Sequence, residues 1–218
     1  MNFKFDKNNT FCISLYSKPE RWKNMENRFK QLNIEVTRFR AISQLDELNV
    51  PFASYLSSSQ KFCSQSHINI WHKIVDTNLS YALILEDDAC FDIMWKEKLN
   101  IFEQEINDPE LDAIFLNVSE PIKDLNKWVI ADEQYLTGGY ILTFKGAKLL
   151  LDMFSNCFYA SDWMTSRLQK MRHSYTYFPW LIIQDGYEST IGSNVNDDHN
   201  KVLRCLNNIS YNISNYII

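Results

Sequence analysis

Tyr81-Ala82-Leu83-Ile84-Leu85-Glu86-Asp87-Asp88 is the stretch on which the reading of this chain turns. Five residues with apolar side chains run without interruption into three carboxylates. An apolar run of this length predicts a central strand covered on both faces. Burying carboxylates is costly, so three acids at the carboxyl end of such a strand need a compensating partner. A divalent cation with oxygen ligands is the simplest partner, and it would also hold phosphates. In open α/β sheets, ligands bind outside the carboxyl ends of the strands, where these acids lie. A solvated acidic turn leading into a helix is the plainer reading, and from this stretch alone both stand.

The rest of the composition narrows the class. At 218 residues, with 45% hydrophobic and 14% aromatic side chains, the chain is expected to be one globular domain with a proper core. We place that core at about residues 11–190, with an Asn- and Ser-rich tail over 194–218. The net charge is −5 and no Lys/Arg block exceeds two residues, so the phosphate-neutralising patch of a nucleic-acid binder is missing. The five cysteines are scattered and contain no CxxC pair, which points away from a zinc knuckle or a disulfide framework and toward a reducing compartment. Residues 1–9 are polar and unlike a signal peptide, and no apolar run approaches 18 residues. The expectation is a cytoplasmic protein with at most peripheral membrane contact.

Outward from the central run, strands and helices alternate. Phe11 to Tyr16 reads as a first strand, and Pro19 suits the first turn of a helix to about Leu32. Ile34 to Phe39 alternates apolar and polar residues, as a half-exposed strand does. Residues 41–60 read as a loop, and Ser64 as the N-cap of a helix to about Thr77. After the acids we expect a helix over 93–106, a strand over 112–117, and an irregular piece around Trp128. A strand over 140–144, helices over 146–154 and 162–171, and a strand over 175–178 complete the order. This pattern predicts an α/β fold with a mostly parallel central sheet flanked by helices.

With these pieces placed, the chain resembles glycosyltransferase family 25, the lipooligosaccharide and collagen-type galactosyltransferases. The likeness runs from about Phe11 to Ser189. It is carried by Ile13-Ser14-Leu15 with Pro19-Glu20-Arg21, by Ala41-Ile42, and by Cys63-Ser64-Gln65-Ser66-His67, which is similar to the family's GCxxSH signature. Leu83 to Asp88, Thr137-Gly138-Gly139-Tyr140-Ile141-Leu142, Gly146-Ala147-Lys148, Asp162-Trp163 and Pro179…Gln184-Asp185…Ser189 follow in the family's order. The resemblance implies a GT-A-type, Rossmann-like fold. It also implies inverting transfer of a sugar from a nucleotide donor, UDP-galactose first and UDP-glucose second, with Mn²⁺ or Mg²⁺. The acceptor it leaves open: a lipooligosaccharide, a hydroxylysine on a collagen-like protein, or a capsule glycan.

Chemistry and the resemblance together imply roles for these residues. A divalent cation at the acids would stabilise charge building on a departing nucleoside diphosphate, and hard oxygen ligands favour Mn²⁺ or Mg²⁺ over zinc. The triplet stands where related enzymes carry a DxD motif. We therefore expect Asp88 as a metal ligand, Glu86 on the metal through water or on the ribose, and His199 as a late addition to the metal shell. Asp87 joins Glu86 among the donor contacts, although alternation along a strand points it away from its neighbours. Ser14, Leu15 and Arg21 of the opening motif are the other expected donor contacts, Arg21 by pairing with the diphosphate. Ser66 and His67 are expected in the first turn of their helix, where free N–H groups favour phosphate or a hydroxyl. Gly138 and Gly139 would let the backbone approach a sugar, or simply make a turn. An inverting displacement needs a base; Asp162 is the first candidate, unless it is only a helix cap, and Asp185 is the second. Trp163 is the tryptophan placed to stack on an acceptor sugar. His67 and His72, five apart, are poorly spaced to share a metal. Two other classes remain open: a sugar-nucleotide-binding domain without catalysis, and a metal-dependent phosphohydrolase.

Overall fold

In the computed structural model, which describes residues 2–186 and 195–218 (residues 195–199 by their backbone), the apolar run is strand β3, Tyr81–Glu86. Ala82, Leu83, Ile84 and Leu85 are all fully buried. Burying a Leu or Ile side chain contributes about 1.5–3 kcal/mol, so this strand anchors the core. It lies between β1 (Thr10–Ser14), which runs parallel to it, and β7 (Gly139–Thr143), which runs antiparallel. The remaining strands of the main sheet are β2 (Thr37–Arg40), β5 (Ala113–Phe115), β6 (Lys127–Ile130) and β8 (Ser174–Phe178). Their order is β2-β1-β3-β7-β5-β8-β6. The pairings make β2, β1, β3, β5 and β8 run one way and only β7 and β6 the other, so the sheet is mixed but mostly parallel.

Helices cover both faces. The side-chain alternation of β3 divides the core in two. Ala82 and Ile84 join the layer formed by α2 (Ser58–Asp76), α4 (Phe144–Phe154) and α5 (Ser161–Leu168), through Ile68, Trp71, Leu150 and Met164. Leu83 and Leu85 join the layer of α1 (Pro19–Leu32) and α3 (Trp95–Glu105), through Met25, Phe29, Trp95 and Phe102. The α/β architecture expected from the alternation of elements is thus present.

Several boundaries differ from expectation. Helix α2 begins at Ser58, six residues before the expected cap. Ser57 is its N-cap, in a capping box where Ser57 Oγ accepts from the Gln60 N–H and Gln60 Oε1 accepts from the Ser57 N–H. Ser64, the expected cap, lies inside the helix, and its Oγ accepts a hydrogen bond from the Ser161 N–H at 2.9 Å. Directly after the acids the chain turns into a short strand, β4 (Ala89–Asp92), before α3 starts. The piece around Trp128, expected to be irregular, is the edge strand β6. Strand β4 is the centre of a second sheet, between β9 (Ile182–Gln184) and β10 (Tyr216–Ile217). The segment read as a tail therefore contributes α6 (Val195–Asn208), whose Leu206 is buried, and β10. All five cysteines are unpaired. Among the described residues no helix is long and apolar enough to cross a membrane.

Candidate active site

A cavity of about 1030 Å³ opens at the carboxyl ends of β1, β2 and β3. Its walls come from Leu15 and Ser17, from Arg21 on α1, from Ala41 to Gln44, and from the first half of α2. Glu86, Asp87 and Asp88 lie along one side; Asn117, Thr137 and the start of α5 with Asp162 complete it. The volume is at the top of the roughly 300–1,000 Å³ range of ligand pockets, enough for a nucleotide with a sugar attached.

The three acids part company as they leave the strand. Glu86 continues the alternation of Ala82 and Ile84 and turns toward α2. Its Oε1 faces His67 Nε2 at 3.2 Å and accepts from Thr137 Oγ1 at 2.9 Å. Burial pushes Glu86 up, but the hydrogen bonds from His67 and Thr137 and the Arg21 charge outweigh it, leaving the carboxyl below its usual range. Asp87 and Asp88 turn toward α1, where Arg21 Nη2 lies 2.6 Å from Asp87 Oδ1 and 3.3 Å from Asp88 Oδ2. Ser14 adds a hydrogen bond to Asp87, and Gln184 Nε2 donates to Asp88 Oδ2 at 3.2 Å. Burial raises Asp87 and, joined by the charge of Glu86, raises Asp88 to about 7.

Do these residues suit a hard divalent cation? Asp88 Oδ1 is buried without a hydrogen-bond partner. A buried carboxylate oxygen left unsatisfied is an acceptor waiting for positive charge. Asp87 and Asp88 present only oxygen donors at the cavity edge, the chemistry Mn²⁺ and Mg²⁺ prefer. The residues fit. Arg21 already supplies part of that charge, so a cation would share or displace its guanidinium.

His67 sits at the centre of a buried chain of polar groups. Its Nδ1 is 3.0 Å from Tyr140 Oη, which accepts from Trp71 Nε1 at 2.9 Å. Because α2 starts at Ser58, Ser66 and His67 occupy its third turn, not its first, and their N–H groups are spent inside the helix. The expected phosphate contact from that turn is therefore corrected. Ser66 Oγ instead donates to Phe62 O at 2.8 Å and accepts from the Ile42 N–H at 2.9 Å, pinning the loop after β2.

Asp162 stands in the first turn of α5, one residue past its start, and the N-cap is Ala160. Asp162 is therefore not the N-cap, although its carboxylate still satisfies one of the free N–H groups of the first turn. Its Oδ1 accepts from the Trp163 N–H at 2.7 Å, and burial raises its pKa, with the negative charge of Glu86 adding to the rise. The helix start is held in place from two sides. Ser161 N–H donates to Ser64 Oγ, and Ser161 Oγ lies 3.2 Å from Thr137 Oγ1.

The other expected residues fall into two groups. Ser14 and Leu15 hold Arg38, whose Nη2 donates to Ser14 Oγ at 3.2 Å and to the Leu15 carbonyl at 3.1 Å, and Leu15 lines the cavity. Gly138 and Gly139 do not line it. A Cβ on Gly138 would meet Asn117 Oδ1 at 2.7 Å, and one on Gly139 would meet Ile182 Cδ1 at 2.4 Å. Packing between strands, not approach to a sugar, accounts for both. Asp185, the second candidate base, is buried in an ion pair with Arg28 at 2.9 Å, and its N–H donates to the Asp88 carbonyl. It braces the acidic turn. Trp163 packs on Tyr159 with ring centroids 4.6 Å apart and carries Arg167 over its ring, away from the cavity lining. His72 lies in a separate surface groove with Asn69 and Asp76. His199 falls outside the described side chains.

Sequence reasoning gave no individual role to Thr137, Asn117 or Tyr140. Asn117 Nδ2 donates to the Ile182 carbonyl at 3.2 Å, while its Oδ1 is buried with no partner on the cavity wall. The signal for Thr137 was present, since it immediately precedes the glycine pair.

The model of glycosyltransferase family 25 (LPS biosynthesis protein) matches residues 7–130, more than half of the chain. Procollagen galactosyltransferase 1 of Danio rerio is 32% identical over 133 residues, 56% of this chain and 22% of its own length. Procollagen galactosyltransferase 1-A of Xenopus laevis is 27% identical over 175 residues, 68% of this chain and 29% of its own. A glycosyltransferase 25 family member of Drosophila melanogaster is 30% identical over 172 residues, 68% of this chain and 28% of its own. The chain thus spans less than a third of the length of these relatives. A solved glycosyltransferase involved in glycosylation of the major capsid of PBCV-1 overlays 89% of this chain and 98% of its own, at 6% identity and a TM-score of 0.40. With the family model matching across the first strand, the α2 signature and the acidic triplet, the chain belongs to glycosyltransferase family 25.

Proposed function

We propose that the chain is an inverting, cation-assisted glycosyltransferase that moves a hexose from a UDP-sugar to a hydroxyl of a glycan or glycoprotein acceptor. Galactose is the first donor sugar to test and glucose the second. The observation that carries this reading is one cavity with Asp87 and Asp88 at its strand-end edge and Asp162 on a separate wall. Support comes from the two buried acceptors without partners on that cavity, Asp88 Oδ1 and Asn117 Oδ1. The first suits a cation, the second a sugar hydroxyl.

In this reading Asp88 and Asp87 would hold a Mn²⁺ or Mg²⁺ ion, which when bound supplies Lewis-acid stabilisation to the departing diphosphate. The chain's own residues do the rest. Arg21 exchanges a carboxylate for a diphosphate oxygen, a charge-assisted hydrogen bond of the same kind. Glu86, fixed by His67 and Thr137, keeps its negative charge and its orientation. Asp162 accepts the proton of the attacking hydroxyl. A base works best with a pKa near the working pH, and burial moves Asp162 in that direction. Leu15, Ala41 and Ile42 offer an apolar wall for the nucleoside at the ends of β1 and β2.

A second reading, a nucleotide-sugar-binding domain without turnover, draws on Arg21, which neutralises the acids without a metal. UDP release from a panel of UDP-sugars, with Mn²⁺ and with EDTA, separates the two. Release from one sugar that stops in EDTA and in Asp88→Ala supports the transferase. Binding of the same sugars with no release in any condition supports the second reading.

A further inference from the structure

We propose that Cys63, His67 and Glu86 form a second cation site, separate from the Asp87/Asp88 edge, which takes a dication of the zinc class. Sγ of Cys63, a ring nitrogen of His67 and a carboxylate oxygen of Glu86 all lie within 4.8 Å of one another. The His67 Nε2 to Glu86 Oε1 distance is 3.2 Å. Zinc bonds of about 2.0–2.3 Å in tetrahedral geometry put neighbouring donors roughly 3.3–3.8 Å apart, so small side-chain rotations close the triad.

The placement follows from the fold. Cys63 and His67 are one helical turn apart on α2 and share a face. Glu86 reaches them because strand alternation turns it to the α2 side, away from Asp87 and Arg21. A mixed sulfur, nitrogen and oxygen set is too soft for Mg²⁺ or Ca²⁺ and suits zinc or cobalt. The supporting shell is also present. Tyr140 Oη, 3.0 Å from Nδ1, accepts the ring proton once Nε2 is given to the metal, and Thr137 Oγ1 donates to the Glu86 carboxylate. All three ligands line the cavity, which leaves the fourth position open to solvent or ligand.

On binding, the Cys63 S–H bond breaks, its proton leaves to solvent and a metal–sulfur bond forms. The ring proton that His67 Nε2 gives to Glu86 in the empty site leaves Nε2 and is replaced, through solvent, by one on Nδ1 facing Tyr140 Oη, so the imidazole stays neutral and no oxidation or reduction takes place. Thiolate plus carboxylate then balance the two positive charges.

The test is a Co²⁺ titration of the reduced, metal-free chain, followed by absorbance. The site predicts one equivalent of cobalt with visible bands of tetrahedral intensity and a near-ultraviolet thiolate-to-cobalt band. Both persist in excess Mg²⁺ and in Asp88→Ala, and both disappear when Zn²⁺ is added. Cys63→Ser, with its fold checked by circular dichroism, loses the thiolate band and at least about 100-fold in zinc affinity. Tyr140→Phe keeps the band but weakens binding about 10–100-fold, as removal of a ligand's supporting partner does. A titration with no thiolate band overturns the proposal. So does a band that survives Cys63→Ser, which would come from Cys157 or Cys205, or one abolished by Asp88→Ala.

Discussion

Replacing Arg21 with methionine tests the electrostatics at the acidic edge. Among the described residues Arg21 is the cation within ion-pair distance of both Asp87 and Asp88, at 2.6 and 3.3 Å. Methionine keeps much of the apolar stem and removes the charge. Exposed ion pairs are worth about 0–1 kcal/mol, whereas stripping one partner from a buried pair costs about 3–5 kcal/mol. This group is partly buried, so we expect a loss of about 2–3 kcal/mol in metal-free buffer. For a chain of this size that is a fall in Tm of about 4–12 °C. With the competing guanidinium gone and two carboxylates exposed to each other, Mn²⁺ should bind the variant more tightly than wild type and restore much of the loss. Thermal unfolding with EDTA and with Mn²⁺, on both proteins, reads this directly. A variant as stable as wild type in EDTA, or one that Mn²⁺ does not stabilise, refutes the reasoning.

Asp162→Asn should lower kcat for transfer about 10²–10⁴-fold with little change in UDP affinity, measured by coupled UDP release and by calorimetry. Because burial raises Asp162, and the base must be ionised, wild-type kcat/KM should fall as pH drops through that raised pKa, well before an ordinary aspartate would protonate; a pH profile over the acidic range reads it. Gly139→Ala places a Cβ against Ile182 Cδ1, so it should cost about 1–3 kcal/mol in denaturant unfolding while leaving UDP affinity within about twofold. Asp185→Asn leaves the buried Arg28 guanidinium without its counter-charge, and should cost about 3–5 kcal/mol in the same assay, marking it as a brace.

Much of this architecture can be read from single residues. The uninterrupted apolar run over 82–85 identifies the central strand because both its faces are covered, and Pro19 marks the α1 start to the residue. Alternation along β3 foretells that Asp87 faces away from Glu86, but not that Asp88, beyond the end of the strand, turns with Asp87 to the same Arg21. Other features have no comparable local signature. The four residues of β4 and of β6 are too short for periodicity to register, and each is a strand because a partner lies beside it. The capping box at Ser57 and Gln60 is a legible S-x-x-Q, but three consecutive serines disguise it as loop. Missing that cap moved Ser66 and His67 by two turns and assigned them a phosphate that the helix interior cannot bind. For the glycine pair, the residue type was informative while its cause was not. Only the position of Ile182, more than 40 residues later, explains why Gly139 has no room for a side chain. Asp185 was a plausible base until Arg28, distant in sequence, closed on it.

Calorimetric titration of UDP into the chain with Mn²⁺ and with EDTA, for wild type and Asp88→Ala, tests the central claim most directly. The account predicts that UDP binds wild type with Mn²⁺ and at least about tenfold more weakly in EDTA, a difference of about 1.4 kcal/mol. In Asp88→Ala that metal dependence should vanish. Equal affinity in both buffers for wild type, or a metal dependence that survives Asp88→Ala, would contradict the assignment of Asp88 to the cation and of this cavity to a nucleoside diphosphate.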